Sequence, residues 1–307
     1  MFWPLTAYFN PCGYSSRLAN YREFRRRLTI PLLAVEQAYG REFELQPGDA
    51  DILVQLRGHD VLWQKERLLN VALGFLPPRC TGLAWLDCDV VLEQEDWAES
   101  AVRRLEHVPL LQLFRERCDL TRDAVPVPWR GENVKSIADS LGYKIATGAV
   151  VPDDLCTSDT MLIRRCTVGL AWAARREVLA DSGLYDACVI GGGDRAILCA
   201  ALGEFDHGVN ALQMTARQAE HYLTWARPFF AAVQGKVGYI EGRIFHIWHG
   251  DLRERNYVKR LQRLKQFGFD PFTDIAIADN GCWRWSSGKV EMHDYVRSYF
   301  DSRREDG

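Results

Sequence analysis

The sequence predicts an α/β protein in which helices flank a mostly parallel central sheet. Short apolar, β-favouring runs alternate with stretches in which apolar residues recur at helical spacing. Turn residues such as glycine, proline and asparagine separate the two kinds of segment. Because a strand, a crossover helix and the next strand normally form a right-handed parallel unit, this alternation predicts parallel strands with helices on the faces of the sheet.

The first half of the chain contains three predicted strands: residues 5–9 (LTAYF), 51–56 (DILVQL) and 83–86 (LAWL). Apolar residues at helical spacing predict two helices between these strands: residues 18–28 and 61–73. Pro31 ends the first helical pattern. The third strand runs directly into the tripeptide 87–89, Asp-Cys-Asp, which makes the end of this strand a candidate site.

The second half repeats the alternation less regularly. Residues 169–183 predict a strand of small residues, a helix of about ten residues and a stop at Gly183. Three glycines at 191–193 precede Asp194 and a predicted helix from about Arg195, and residues 243–250 (RIFHIWHG) precede a predicted basic helix over 252–267. The middle of the chain matches neither pattern, and its turn residues predict a lid or an insertion: Pro126, Pro128, Gly131 and Gly142.

Composition and charge exclude several classes of protein. The 307 residues are 47% hydrophobic and 26% charged, which is close to the globular average and excludes disorder as the main state. A net charge of -3 argues against a surface that binds nucleic acid along its whole length. Because no long apolar window or leader pattern is present, and the nine cysteines are scattered without a Cys-x-x-Cys pair, we expect a soluble, cytoplasmic chain with reduced thiols.

Two aspartates, Asp87 and Asp89, follow the strand at 83–86, where an open α/β sheet places its ligands. Two carboxylates one residue apart can share a divalent cation with the oxygens of a diphosphate, because Mg²⁺ and Mn²⁺ prefer such ligands. Aspartate is also a common turn residue at the end of a strand. The pair is therefore a candidate metal and diphosphate site, with a simple turn as the alternative.

Two histidines, His246 and His249, lie near the other end of the chain. Imidazole is a common ligand of Mn-like and Zn-like ions, and their spacing fits neither a zinc finger nor the H-E-x-x-H motif of zinc proteases. The alternative for His246 is a hydrogen-bonded core histidine beside Trp248. His249 precedes Gly250 in a predicted loop, which favours a functional role.

Asp194 follows three glycines, where a backbone without Cβ atoms lets a ligand approach closely. One interpretation makes Asp194 a general base that deprotonates an acceptor hydroxyl. The other makes it only the N-cap of the following helix.

Weaker candidates lie elsewhere. Lys65, Arg67 and Asn70 share a predicted helix and either touch a nucleotide or form a solvated face, and Trp172 either stacks on a sugar or is buried. A basic run after His249 either meets an anion or is solvated: Arg253, Arg255, Lys259, Arg260, Arg263 and Lys265. Motifs of P-loop proteins, dinucleotide-binding proteins, serine hydrolases and kinases are absent from the sequence.

The chain resembles the GT-A glycosyltransferases, and within them the β-1,4-galactosyltransferase family. Residues 63–70 (WQKERLLN), with Asp-Cys-Asp starting seventeen residues after them, are similar to that family's R-A-K-L-L-N run and its D-V-D. Residues 169–194 are similar to the segment that ends in W-G-W-G-G-E-D-D-D, and residues 245–249 to M-I-R-H, whose Met and His bind manganese. The order and approximate spacing of these blocks agree from about residue 50 to residue 265.

The resemblance implies a Mn²⁺ or Mg²⁺ site at Asp89 and His249, with His246 at the position of the family's methionine. This exchange gives a harder set of ligands. It also implies that Asp87 lies near the ribose or the water shell of the metal. The remaining residues of the implied donor site are Phe9, Asn10, Lys65, Arg67, Asn70 and Trp172, of which Lys65 and Arg67 approach the uridine diphosphate.

One departure from the family concerns the acidic cluster, which shrinks here to Asp194. Asp194 corresponds either to the family's acceptor-orienting Glu or to its catalytic Asp. The resemblance also implies a single GT-A domain over residues 1–270, with a nucleotide-sugar half at about 1–125 and an acceptor and metal half at about 160–270. Residues 271–307 then form a C-terminal extension.

The implied activity is metal-dependent transfer of a hexose, galactose by preference, from a UDP-sugar to a hydroxyl of a glycan or another acceptor. Asp194 serves as the base, and the reaction inverts the anomeric carbon. The alternatives are a retaining transferase on the same fold and a non-catalytic module that binds nucleotide sugars or glycans. A nucleic acid acceptor ranks below these because of the net charge.

Overall fold

The computed structural model describes residues 1–40, 42–58, 60–124, 131–150 and 166–307. Pro126 and Pro128 of the expected lid or insertion lie outside the described residues, whereas Gly131 and Gly142 lie within them. Residues 131–150 contain a strand and a short helix, so this part of the middle stretch has regular structure that the sequence did not predict.

Thirteen strands form three sheets in the described part of the chain: β1 (Phe2–Phe9), β2 (Leu33–Ala38), β3 (Ile52–Arg57), β4 (Gly82–Leu86), β5 (Val90–Leu92), β6 (Leu110–Gln112), β7 (Glu116–Leu120), β8 (Val134–Asp139), β9 (Ala171–Arg175), β10 (Val237–Tyr239), β11 (Arg243–His246), β12 (Ile275–Ile277) and β13 (Trp283–Trp285). The central sheet has the order β10-β6-β9-β4-β1-β2-β3, and the second has the order β5-β11-β7-β8. All central pairs are parallel except those of β9 with β4 and β6, so the predicted mostly parallel sheet is confirmed.

Ten α-helices surround the sheets in the same described ranges: α1 (Ser15–Arg27), α2 (Lys65–Leu73), α3 (Trp97–Leu105), α4 (Leu141–Ala146), α5 (Gly193–Leu202), α6 (Phe205–Ala211), α7 (Ala216–Val233), α8 (Lys259–Gln266), α9 (Pro271–Asp274) and α10 (Val290–Ser302). Three short 3₁₀ helices complete them: Gly131–Asn133, Arg176–Leu179 and Leu252–Arg255. None of the described helices is long and apolar enough to cross a membrane.

Alternate residues of the central strands pack into cores on opposite faces of the sheet. In β4, Leu83 and Trp85 belong to one core, while Ala84 and Leu86 belong to the other. A strand that is buried on both faces has a continuous apolar sequence instead of an alternating one. This is why LAWL identifies β4 so clearly in the sequence.

The C-terminal helix α10 packs on the larger core instead of lying apart from it. Its residues Met292, Val296, Tyr299 and Phe300 are buried there. The side chain of Phe300 contacts Phe9 of β1, with ring centroids 6.3 Å apart. The end of the chain is thereby brought to the carboxyl edge of the central sheet.

Three predicted helices differ from the observed ones. α2 begins at Lys65 and not at residue 61, because the amide of Trp63 donates to the carbonyl of Val189 and pairs with that loop. The helix expected after β9 is a single 3₁₀ turn, Arg176–Leu179. The expected basic helix is divided into a 3₁₀ turn and α8, because Asn256 adopts a left-handed conformation with a φ of 46°.

Candidate active site

The Asp-Cys-Asp tripeptide connects the two larger sheets. It leaves β4 in the central sheet and enters β5 in the second. The amide of Asp87 donates to the carbonyl of Leu170 over 2.8 Å, and Cys88 is buried in a core. Because the cysteine side chain occupies the core, the two flanking aspartates are left at the carboxyl edge of the parallel strands. This is the position that the sequence predicted for them.

Strand pairing explains why Asp89 meets His246. β11 runs antiparallel to β5 with His246 opposite Val90, and the amide of Ile247 donates to the carbonyl of Asp89 over 2.8 Å. The chain then turns at Gly250, whose φ is 91°. His249, which directly precedes this turn, lies beside the same aspartate.

The side chains of Asp89, His246 and His249 converge so that one ligand atom from each lies within 4.8 Å of the others. The Nε2 atom of His249 is 3.4 Å from Asp89 Oδ2, and the Nε2 atom of His246 is 3.9 Å from Asp89 Oδ1. Asp89 Oδ1 is buried without a hydrogen-bond partner among the described residues. One carboxylate and two imidazoles with an unsatisfied oxygen fit a divalent cation of the Mn²⁺ type.

The charges of this cluster suit metal binding. Burial, reinforced by the nearby Arg255, lowers the pKa of His249 to about 4, so this imidazole is neutral at physiological pH. Burial raises the pKa of Asp89, but His249 and His246 outweigh it and leave the pKa below its ordinary value. A neutral imidazole and an ionised carboxylate are the forms that ligate metals.

A further aspartate, Asp119 on β7, orients His246. β7 runs parallel to β11 with Asp119 beside His246, and Asp119 Oδ1 lies 2.9 Å from His246 Nδ1. Although burial raises the pKa of Asp119, the hydrogen bond from His246 and the charge of Arg117 lower it to about 2. The ionised carboxylate accepts the Nδ1 proton, which leaves the His246 Nε2 lone pair free for a cation.

A second cluster adjoins the first through Asp87. The ammonium of Lys65 lies 2.8 Å from Asp87 Oδ1 and 2.8 and 3.0 Å from the two carboxylate oxygens of Asp194. Although burial disfavours the ammonium, Asp194 and Asp87 raise the pKa of Lys65 well above its ordinary value. Burial also raises the pKa of Asp87 to about 6, with Lys65 opposing the shift. Lys65 is therefore charged and holds two carboxylates at once.

Asp194 is the second residue of α5, and its N-cap is Gly192. Asp194 is therefore not the N-cap of this helix. Its carboxylate accepts a hydrogen bond from Lys65. Two glycines, Gly193 and Gly169, leave room for the carboxylates at this cluster. A Cβ atom on Gly193 would lie 2.3 Å from an oxygen of the buried Glu66, and one on Gly169 would lie 2.6 Å from Asp194 Oδ2.

Two of the expected donor-site residues bind a loop instead. Arg67 donates to Asp186 over 3.0 Å, and Asn70 donates to Asp186 and to the carbonyl of Leu184 over 2.9 Å each. A Cβ atom on Gly183 would lie 2.6 Å from Asn70 Oδ1, and its φ is 58°. Both side chains thus hold the loop that leads toward α5, and their expected nucleotide contacts stay predictions.

The expectation that Trp172 stacks on a sugar is corrected. It is 1% exposed, its ring stacks on that of Trp85, and its indole N–H donates to the carbonyl of Val168 over 2.8 Å. The alternative of a buried tryptophan is the one observed, so no face of the ring is open to a sugar. Phe9 is likewise a core residue, with its ring edge against that of Trp63.

Asn10 lines a cavity of about 590 Å³ at the carboxyl ends of β1 and β2. Its amide nitrogen donates to Glu44 and to the carbonyl of Tyr14, and its oxygen accepts the amide of Tyr14 over 2.9 Å. Tyr8 and Gln37 also line the cavity, and both amide atoms of Gln37 are buried without a hydrogen-bond partner among the described residues. The cavity is therefore lined by polar groups, and the glutamates Glu36, Glu42 and Glu44 are among its lining residues.

Several buried charged residues behind His249 were missed by the sequence reasoning. Arg17 and Arg303 bind the fully buried carboxylate of Glu305. Although burial raises the pKa of Glu305, the two arginines lower it well below its ordinary value. Arg255 of the predicted basic run is also buried and donates to the carbonyl of His249 over 2.6 Å. Nothing in the local sequence marks Arg17 and Glu305 as partners, because 288 positions separate them.

Comparison with known proteins gives structural similarity only. No protein-family model matches the sequence, and no curated protein matches it. Among solved structures, S. aureus TarS 1-349 in complex with UDP-GlcNAc is similar with a TM-score of 0.43 and 10% identity, over 98% of this chain and 72% of that one.

Two further solved structures are similar. Glucosyl-3-phosphoglycerate synthase from Mycobacterium tuberculosis, in complex with Mn²⁺, UDP and glucosyl-3-phosphoglycerate, has a TM-score of 0.46 and 13% identity, over 93% of this chain and 87% of that one. The mannosyltransferase PcManGT from Pyrobaculum calidifontis, in complex with GDP-Man and Mn²⁺, has a TM-score of 0.36 and 12% identity, over 99% and 87%. TM-scores below 0.5 do not establish a shared activity, and none of the three names a β-1,4-galactosyltransferase.

Proposed function

We propose that this protein is a metal-dependent glycosyltransferase, which moves a sugar from a nucleoside diphosphate sugar to an acceptor hydroxyl. One observation carries the proposal: the cluster of Asp89 with two histidines adjoins the cluster of Lys65 with Asp87 and Asp194. The first cluster suits a divalent cation, and the second offers a cation for phosphate and a carboxylate for a proton. Sugar transfer needs both, because the leaving diphosphate gains charge while the acceptor hydroxyl loses a proton.

Asp89, His246 and His249 would hold the cation, and two imidazoles favour Mn²⁺ over Mg²⁺. When bound, the cation supplies Lewis-acid stabilisation to the departing diphosphate. Asp119 contributes by fixing the ring of His246, since it accepts the proton at Nδ1. Asp87 belongs to the second cluster through its ion pair with Lys65, and it precedes Asp89 of the first cluster by two residues.

Asp194 would be the general base. Lys65 now binds both of its carboxylate oxygens, and an incoming diphosphate competes for the same ammonium. Once Lys65 turns toward the phosphates, Asp194 can accept the proton of the acceptor hydroxyl as this hydroxyl attacks the anomeric carbon. We infer a single displacement with inversion, and the anomeric configuration of the product distinguishes it from retention.

The cavity beside β1 and β2 would bind the nucleoside. Its polar lining, including Asn10, Tyr8 and Gln37, can form hydrogen bonds with a base and a ribose, while Glu36 and Glu44 disfavour a second anion there. Uridine as the nucleoside and a galactose-type hexose as the sugar are proposed from the resemblance to the β-1,4-galactosyltransferase family as a whole. Asn10 is the residue of the expected donor set that lines this cavity.

We propose one GT-A transferase domain over residues 1–270, with nucleotide-sugar and acceptor halves, and residues 271–307 as an extension of it. The acceptor is a glycan or another hydroxyl compound, and the net charge of -3 disfavours a nucleic acid. The cytoplasm is the proposed location, since the eight cysteines that the structure describes are free thiols.

The test is release of nucleoside diphosphate from a panel of UDP- and GDP-sugars with Mn²⁺, with Mg²⁺ and with a chelator. We expect slow Mn²⁺-dependent hydrolysis of one UDP-hexose, with loss of activity in the chelator. His249→Asn should abolish this release, whereas His107→Asn, which changes an exposed histidine outside the cluster, should preserve it. Full release in the chelator, or equal release by His249→Asn, would contradict the proposal.

A further inference from the structure

The end of the chain crosses behind the metal-binding cluster. Residues 303–306 follow α10, and Glu305 is 0% exposed. The Nε atom of Arg17 lies 2.5 Å from one of its carboxylate oxygens, and the Nε atom of Arg303 lies 2.6 Å from the other. Burying a carboxylate costs much hydration free energy unless charged partners replace the water. Glu305 is thus held in one defined place, as a charged group inside the protein.

The backbone of the same segment contacts the loop that carries His249. A Cβ atom on Gly250 would lie 2.9 Å from the carbonyl oxygens of Arg303 and Arg304. Glycine at position 250 therefore allows the segment to approach the residue next to His249. On its other side, Asp306 accepts the amides of Ser15 and Ser16 at the start of α1, over 3.0 and 2.8 Å.

The Nδ1 atom of His249 has two neighbours with opposite hydrogen-bonding properties. Nη2 of Arg255 lies 2.8 Å away, and Oε1 of Glu305 lies 3.8 Å away. A guanidinium can only donate a hydrogen bond, whereas an ionised carboxylate can only accept one. Arg255 therefore favours a lone pair on Nδ1 of His249, and Glu305 favours a proton there.

The two tautomers of His249 differ in whether Nε2 can bind a metal ion. With a lone pair on Nδ1, the neutral ring of His249 carries its proton on Nε2, which points at Nε2 of His246 over 2.9 Å. That tautomer cannot ligate a cation through Nε2. With the proton on Nδ1, the Nε2 lone pair is free, and a shift of about 1 Å brings Nδ1 within hydrogen-bond distance of Glu305.

We propose that Glu305 is a positioning residue, which holds His249 in its metal-binding tautomer against the competing donor Arg255. The inference rests on the proposed metal site and adds a residue to it from the predicted C-terminal extension. It assigns to Glu305 the part that Asp119 takes at His246, where a carboxylate accepts the proton at Nδ1. Each of the two proposed metal-binding histidines then has a carboxylate near its Nδ1 atom, Asp119 for His246 and Glu305 for His249.

The test measures the affinity for Mn²⁺ alone, from the electron paramagnetic resonance signal of the free ion. In Glu305→Gln the single amide oxygen must serve Arg17 and Arg303, so little acceptor capacity is left for His249. We expect the affinity to fall about 10- to 100-fold. Asp274→Asn is the matched control, because Asp274 is another fully buried carboxylate in the C-terminal segment, paired with Lys289 over 2.8 Å.

Both Asp274→Asn and Glu305→Gln should lose thermal stability, but Asp274→Asn should keep the wild-type affinity for Mn²⁺. A double-mutant cycle then separates positioning from general destabilisation. In a His249→Asn background, Glu305→Gln should change the remaining affinity less than about twofold, because the ring on which Glu305 acts is absent. Should Glu305→Gln fail to fold, Glu305→Asp, which keeps the charge but withdraws the carboxylate, replaces it in the same cycle.

Equal loss of affinity in both backgrounds, or wild-type affinity in folded Glu305→Gln, would overturn the role of Glu305 and leave the proposed transferase intact. Failure of the wild-type protein to bind Mn²⁺ would overturn the proposed metal site as well. The two failures are therefore distinguishable.

Discussion

The two charged clusters of the site are built in different ways. Asp89 and His246 are brought together by the register of β5 and β11, and Asp119 fixes the histidine ring from behind. Asp194 instead lies at the start of a helix and is held by the long side chain of Lys65. Strand pairing determines the first arrangement before any ligand arrives. The second depends on the one long side chain of Lys65, which in the proposed mechanism turns toward an incoming diphosphate.

This difference suggests that the two clusters have separate functions, one in binding the cation and the other in transferring a proton. In the proposed mechanism the cation site has to be in place when the donor binds, because the cation would orient the diphosphate. In the proposed mechanism the base becomes free only when the donor is present, and the ion pair of Asp194 with Lys65 would provide that dependence. The comparison therefore predicts that variants in the two clusters have separable effects on metal binding and on transfer.

The largest separable effect is expected from Asp194→Asn. The amide cannot accept a proton, so transfer should fall by about 10²- to 10⁴-fold. The affinity for Mn²⁺ should be unchanged, because Asp194 is not among the converging ligands Asp89, His246 and His249. Rates of transfer and Mn²⁺ titrations on the same preparation check this. Transfer at the wild-type rate would remove Asp194 from the role of base.

A smaller effect is expected from Asp119→Asn. The asparagine can present its NH₂ group to His246 Nδ1 and then favours the wrong tautomer, so the affinity for Mn²⁺ should fall about 10- to 100-fold. Saturating Mn²⁺ should restore most of the transfer rate, which distinguishes Asp119 from the base. Isothermal titration with Mn²⁺ measures the change. A rate that stays low at saturating metal would mean that Asp119 does more than orient the ring.

The smallest effect on activity is expected from Trp172→Phe. The substitution removes the hydrogen bond to Val168 and part of the stacking on Trp85, so the free energy of unfolding should fall by about 1–3 kcal/mol. Donor affinity should stay within about twofold of the wild type, because the ring is buried. Urea unfolding and nucleotide titration measure the two quantities. A large loss of donor affinity in the folded variant would reinstate the sugar-stacking role.

Local patterns predicted part of the fold well. β1, β3 and β4 are apolar runs, and each coincides with a predicted strand. β2 was missed because Glu36 and Gln37 interrupt its apolar pattern, although both are 1% exposed in the sheet. Whether a polar residue is buried depends on its neighbours in space, and these cannot be read from the sequence of one strand.

The candidate site shows the same limit. Asp89, His246 and His249 were singled out as residues of metal-binding type, and the structure brings them together. Arg17 and Glu305 were missed, because their pairing depends on the packing of α10 against β1. Residues that orient a site are harder to find than residues that perform its chemistry, since a buried ion pair has no local sequence signature.

The most direct test of the central claim is the binding of Mn²⁺ to the wild-type protein and to Asp89→Asn. Asp89 supplies a buried oxygen without a hydrogen-bond partner in the described chain, and its carboxylate lies close to both histidines. We predict that the wild type binds one Mn²⁺ ion and that Asp89→Asn, while still folded, loses this binding. Equal binding by both proteins, or none by the wild type, would contradict the account.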